Sequence, residues 1–128
     1  MEDLIFLDTH VVVWLYVGDL DLFSPKAQED LRDNELFISP IVALEIQYLQ
    51  EINRITAGAE AVIEELKRTI GLKLSGIPFD QVVAESLTNS WTRDPFDRLI
   101  TAQAALGQDR LLTKDRTIRD HYQHAYWV

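Results

Sequence analysis

The sequence predicts an α/β fold, a three-layer α/β/α sandwich around a central parallel sheet of four or five strands, and three observations predict it. Short continuous apolar runs such as Leu4-Ile5-Phe6-Leu7 and Arg110-Leu111-Leu112-Thr113 read as strands buried on both faces. Stretches carrying helix-start signals alternate with them, the pattern of a parallel sheet covered by helices on both sides. No repeat, linker or low-complexity segment interrupts the alternation. The 128 residues, 47% of them hydrophobic, fit a single domain over residues 1–128 with one buried core.

The run Leu4–Leu7 ends abruptly at Asp8, which puts that acid at the carboxyl end of a strand, where open α/β sheets bind their ligands. Thr9 and His10 then open a helix through Val11, Val12, Val13, Trp14 and Leu15 that stops near Gly18. Ser24-Pro25 is a cap followed by a proline at the first helical position, and starts a helix through Ala27 and Leu31 towards Asp33. Leu36-Phe37-Ile38 reads as a strand, and Ser39-Pro40 repeats the cap-then-proline start. On that helix Ile41, Val42, Tyr48 and Leu49 lie three or four residues from Glu45, so Glu45 shares its face with apolar side chains. A carboxylate there is expensive unless it is paired or bound to a cation. Thr56 is expected to cap a helix from about Ala59 to Thr69, with Glu60, Glu64, Glu65, Lys67 and Arg68 on its solvated side and Gly71 at its end.

Leu72-Lys73-Leu74 reads as a short strand, and Pro78 with Asp80 introduces a helix through Val82, Val83 and Leu87 towards Trp91, a packing residue. Asp94-Pro95-Phe96-Asp97 opens the strongest helix of the chain, with Asp94 as its cap and Asp97 well placed for the helix dipole. Gly107 is its expected stop. The strand Arg110–Thr113 is followed at once by Lys114-Asp115, so Asp115 repeats the placement of Asp8. Ala125-Tyr126-Trp127-Val128 reads as an edge strand, and His121 and His124 before it read as surface residues without metal-ligand spacing.

Composition narrows the function classes. The 21 acids against 12 bases give a net charge of -9, which counts against a broad electrostatic grip on nucleic acid. A local grip is still open to Arg93, Arg98, Lys114, Arg116 and Arg119, which lie near the suspect acids in sequence. With no cysteine there is neither a disulfide framework nor a thiolate metal site, which suits a reducing cytoplasm. Met1-Glu2-Asp3 is acidic and the apolar run after it is too short for a signal peptide or a membrane span, so a cytoplasmic protein without a membrane role is expected.

Right-handed crossovers bring Asp8, Glu45, Asp97 and Asp115 to one end of the sheet. Four carboxylates in one cleft repel one another and each pKa rises if the cleft stays empty; a divalent cation resolves the conflict. An all-oxygen site suits Mg²⁺ or Mn²⁺ better than Zn²⁺. Metal-assisted phosphoester hydrolysis is the reaction class that follows, with the hydroxyls of Thr9 and Thr113 orienting carboxylates.

Asp8-Thr9-His10 after the first strand, Ser39 to Glu45 on a helix, Asp94-Pro95-Phe96-Asp97-Arg98-Leu99-Ile100, and Leu112-Thr113-Lys114-Asp115 together resemble a PIN-domain ribonuclease of the VapC-like toxins of bacterial toxin–antitoxin pairs. The resemblance covers essentially the whole chain. It implies Mg²⁺- or Mn²⁺-dependent endonuclease action on RNA and frequent homodimers. It also implies inhibition by a cognate antitoxin protein whose C-terminal segment wraps the toxin. Asp8 and Asp97 match the principal metal-binding aspartates, Glu45 and Asp115 complete the set, and Asp94 is an accessory candidate. Alternatives are a PIN-type RNA-processing nuclease that is not a toxin, and a binding module that keeps the acidic cleft. A haloacid-dehalogenase-type phosphatase requires a second Asp two residues after the first, where His10 stands. A phosphoacceptor receiver ends a middle strand in Asp, where Ser39 stands.

Overall fold

A computed structural model describes residues 3–128 and leaves Met1 and Glu2 outside, so the reading of the acidic N-terminus falls largely beyond it. Among the described residues there are five strands: β1 Leu4–Leu7, β2 Glu35–Ile38, β3 Lys73–Leu74, β4 Arg110–Leu112 and β5 Ala125–Tyr126. They form one sheet in the order β3-β2-β1-β4-β5 with every pairing parallel. β1 is central, Ile5 lying between Leu36 of β2 and Arg110 of β4. Ile5, Phe6, Leu7, Leu111 and Leu112 are all buried, as continuous apolar runs covered on both faces require.

The helices are α1 Thr9–Val17, α2 Pro25–Asp33, α3 Ile41–Glu51, α4 Ala59–Ile70, α5 Phe79–Ser86, α6 Pro95–Leu106 and α7 Arg116–His121. Their starts follow local chemistry. Ser24 Oγ accepts from Ala27 N at 3.1 Å ahead of Pro25, and Asp94 Oδ1 accepts from Phe96 N at 2.8 Å and Asp97 N at 3.3 Å ahead of Pro95. α1 and α4 end on glycines with φ of 76° and 68°, a left-handed turn that costs other residues strain. α1, α3 and α4 pack on one another and α5 packs on α6; the two groups meet where α3 touches α6. Among the described residues no helix is long and apolar enough to cross a membrane.

Local structure departs from the sequence expectations in six places. Pro40, not Ser39, occupies the cap position of α3, which begins at Ile41, and Ser39 Oγ accepts only a long 3.4 Å bond from Ile41 N while donating to Gln103. Gly58, not Thr56, occupies the cap position of α4, and Gln47 Oε1 accepts the Ala59 N–H at 3.3 Å. α5 ends at Ser86 instead of continuing towards Trp91. α6 does stop before Gly107, yet that residue has φ of -102°, and the left-handed residue is Gln108 with φ of 52°. On α3 the buried positions are Val42 and Ile46 while Tyr48 is 48% exposed, so Glu45 lies at the margin of the core. α7 and the 3-10 turn Leu20–Leu22 had no signal strong enough to predict them.

Candidate active site

The chain steps from β1 out to β2 and β3, then returns past β1 to build β4 and β5 on the other side. That reversal leaves a crevice beyond the carboxyl ends of β1 and β4, the place where open α/β sheets bind ligands. Asp8 follows β1 directly and is 4% exposed. Its Oδ1 accepts from Thr9 N at 2.8 Å, which makes it the cap of α1, and its Oδ2 accepts from Thr113 Oγ1 at 2.6 Å. Thr113 is fully buried past the end of β4, and its hydroxyl also accepts from Asp115 N at 3.0 Å. One hydroxyl thus couples the two strand ends. Asp115 caps α7 through Ile118 N at 3.1 Å, so the local capping role and a role in the crevice coexist.

Helices α3 and α6 bring the other two acids. Glu45 Oε1 accepts from Thr9 Oγ1, so each of the two threonine hydroxyls donates to a carboxylate. Burial pushes the Glu45 carboxyl up to about 7, with the charges of Asp8 and Asp94 adding to it and the Thr9 hydrogen bond opposing. Asp97 goes further, to about 8: burial is the main cause, and Asp94, Asp8, Asp115 and Glu45 all repel its charge. The four acids therefore act on one another across the crevice, joined by the exposed cap Asp94.

The donor set fits a hard divalent ion: carboxylate and hydroxyl oxygens only, with two carboxyls pushed towards neutrality by burial first and by the neighbouring acids second. As placed, no three His, Cys, Asp or Glu side chains among the described residues stand close enough to hold an ion. Carboxylates repel one another when ionised, and a bound cation would add attractions that outweigh that repulsion.

The basic residues divide. Arg93, Lys114 and Arg116 are exposed, though Arg93 Nη1 donates to Ser90 O at 2.8 Å and Arg116 faces Asp120 at 4.0 Å. Arg98 is half-buried and donates from Nε to Thr92 O at 2.8 Å, bracing the loop before α6. Arg119 Nη2 donates to Lys114 O at 3.1 Å, holding the turn that carries Asp115. His121 stacks on Trp91 with centroids 4.9 Å apart.

Sequence reasoning overlooked His10. Its Nε2 accepts from Lys114 N at 2.9 Å, which puts the ring proton on Nδ1, 3.5 Å from Asp8 Oδ2. Burial holds the imidazole below its ordinary value against the pull of Asp8 and Asp115, so it is neutral at pH 7. The signal was Trp14 four residues on, the same helix face, against which the ring packs at 4.9 Å. Also overlooked was a buried polar chain behind the crevice, Ser39–Gln103–Ser75, whose signal was one amide in the alanine-rich stretch of α6.

An apolar groove of about 370 Å³ between Leu15, Leu20, Leu31, Leu36 and Ile70 contains none of these acids.

The PIN domain family matches residues 5–123. The chain is 32% identical to Ribonuclease VapC22 of Mycobacterium tuberculosis over 122 residues, 91% of each chain. In fold it resembles VapBC2 from Rickettsia felis bound to a DNA fragment from their promoter, with a TM-score of 0.67 and 16% identity over 98% of this chain and 99% of that one. It likewise resembles a toxin–antitoxin complex from Klebsiella pneumoniae, with a TM-score of 0.65 and 16% identity over 96% of this chain and 98% of that one. VapBC-1 from nontypeable Haemophilus influenzae gives a TM-score of 0.64 and 16% identity over 98% and 96% of the two chains.

Proposed function

The chain belongs to the PIN-domain family, and from that premise we propose that it is a single-domain, metal-dependent endoribonuclease that hydrolyses RNA phosphodiester bonds as the toxin of a toxin–antitoxin pair. The observation that carries the reading is the placement of Asp8, Glu45, Asp97 and Asp115 around the strand-order reversal, where burial and the neighbouring acids push Asp97 to about 8 and burial pushes Glu45 to about 7. Asp8, Glu45, Asp97 and Asp115 would hold a divalent ion, Mg²⁺ or Mn²⁺. The chemistry such an ion supplies when bound is a more acidic water and stabilisation of the charge that develops on phosphodiester oxygens.

The protein's own groups do the rest. Thr113 and Thr9 fix the carboxylates of Asp8 and Glu45, and His10 ties the Lys114 turn to Asp8. Lys114, Arg116 and Arg93 are exposed and suited to phosphate contacts. Arg98 contributes through the guanidinium nitrogens not committed to Thr92. A net charge of -9 confines RNA binding to such a local rim.

The proposed partner is a small antitoxin protein, supported by the Klebsiella pneumoniae complex of the same fold. A homodimer is proposed through the exposed apolar residues Leu44 and Tyr48 on α3, Phe79 on α5 and Leu87 just after it. The cysteine-free chain is read as cytoplasmic. One observation favours a second reading, a binding module that keeps the acidic cleft: the acids as placed are not gathered tightly enough to hold an ion.

Cleavage of a mixed panel of structured and single-stranded RNAs, with Mn²⁺, Mg²⁺ or chelator, separates the two. Metal-dependent cutting by wild type that is lost in Asp97→Asn supports the nuclease. A fully active, folded Asp97→Asn overturns the assignment, and no cutting under any condition moves the reading to the binding module. Expression should arrest bacterial growth, and Asp8→Asn should relieve the arrest.

A further inference from the structure

Gln103 of α6 is 1% exposed, and both ends of its amide are engaged. Its Oε1 accepts from Ser39 Oγ at 2.9 Å and its Nε2 donates to Ser75 Oγ at 2.8 Å. Ser39 lies between β2 and α3, and Ser75 follows β3. The two strand ends are themselves tied by Ser75 N donating to Ile38 O at 2.9 Å. Ser39 and Ser75 are buried as well. The three side chains thus form a closed chain from the sheet to α6.

Apolar packing alone does not explain this choice of residues. Ile100, Ala102 and Ala104 already bury α6, and apolar contacts are non-directional, so they resist separation of helix and sheet better than sliding. Replacing a buried hydrogen-bonded set by apolar groups of the same shape is often neutral for stability. What the amide adds is direction: hydrogen bonds hold within narrow limits of distance and angle, and a fully satisfied buried network fixes one arrangement. Its position shows which arrangement is held. Asp97 lies six residues before Gln103, roughly 9 Å along α6, and Glu45 lies six residues after Ser39, at the fifth residue of α3.

We propose that Gln103 is a positioning residue whose amide locks α6 against the start of α3 and so sets the spacing of Asp97 and Glu45 across the crevice. The consequence for rate rests on the nuclease reading above; the spacing does not.

Gln103→Met removes both hydrogen bonds at similar volume. The triple variant Ser39→Ala, Ser75→Ala, Gln103→Met also removes the hydroxyls that lose their Gln103 contacts, giving up only the two long bonds they accept from Ile41 N and Ile77 N at 3.4 Å, so a folded protein is obtained even where the single change is too costly. Because the chain has no cysteine, Glu51→Cys and Leu106→Cys, both at exposed positions and neither among the residues proposed for the dimer, give a spin-label pair reporting the α3–α6 distance in metal-free protein diluted with unlabelled protein. The lock is supported if the distance distribution broadens or shifts in both variants. With it, kcat for RNA should fall roughly 10- to 100-fold. KM should stay within about threefold, a split that loss of folded protein does not produce, while the triple variant keeps a melting temperature near wild type. An unchanged distance distribution overturns the proposal, and so does a triple variant with wild-type kcat. If wild type itself cuts no RNA, the nuclease reading fails and the label distances alone decide the lock.

Discussion

Replacing Asp97 by Asn should stabilise the metal-free protein, and the gain should grow with pH. In the folded chain the carboxyl is pushed from 3.8 to about 8, so over that interval the fold binds more protons than the unfolded chain. Stability therefore falls as pH rises from about 4 to about 8 and is not regained above that range. At about 1.4 kcal/mol per pH unit the unscreened cost at pH 8 is about 5 kcal/mol. Asp97 keeps partial contact with water, and halving the cost for screening leaves roughly 2–3 kcal/mol. Against this, an anion in the first turn of α6 gains about 0.3–1 kcal/mol from the helix dipole. At pH 5 the folded carboxyl is protonated and gains nothing from the dipole, and the screened cost there is only about 0.8 kcal/mol; by pH 8 burial and repulsion outweigh the dipole. Thermal unfolding with chelator should show Asp97→Asn close to wild type at pH 5 and roughly 5–10 °C above it at pH 8. Equal or lower melting temperatures at pH 8, or a difference independent of pH, would refute the reasoning that these acids share one crevice.

Millimolar Mn²⁺ should raise the melting temperature of wild type at pH 7.5 and raise that of Asp97→Asn much less, read by the same thermal scan, because only a site in the folded state gains from mass action. Thr113→Val should cost about 1–3 kcal/mol in urea unfolding and lower RNA cleavage, since the hydroxyl that donates to Asp8 Oδ2 and accepts from Asp115 N is fully buried. Wild-type stability in that variant would remove Thr113 as the coupling group. Gly71→Ala should destabilise by about 1 kcal/mol through backbone strain alone, since φ is 68° and nothing lies within 4 Å of the added methyl. A neutral result would show that the end of α4 relaxes.

Much of the fold was legible because its signals are local. The apolar runs at Leu4–Leu7 and Leu111–Leu112, the cap-then-proline pairs at Ser24 and Asp94, and the glycines at Gly18 and Gly71 each act within one or two turns of chain. The misreadings came where a distant group replaced the local one. Thr56 had the chemistry of a cap, but Gln47, twelve residues earlier in the chain than Ala59, reaches the free N–H. Tyr48 had the spacing of a buried residue on the face of Glu45, but the core contacts fall on Val42 and Ile46, and Tyr48 turns towards Phe96 at 6.0 Å.

The candidate site divides the same way. The sequence by itself determined the acids and their placement at element ends: a strand that stops at Asp8, a helix that begins at Asp94, and a crossover rule that sends both to one end of a parallel sheet. Only the tertiary structure decided how those acids feel one another. The raised values of Asp97 and Glu45, the neutral His10 between Asp8 and the Lys114 turn, and the Ser39–Gln103–Ser75 chain depend on burial and on contacts across 28 to 104 residues of sequence. Periodicity and capping report on neighbours along the chain. Desolvation and hydrogen-bond geometry report on neighbours in space, and those exist only once the sheet has closed its order around β1.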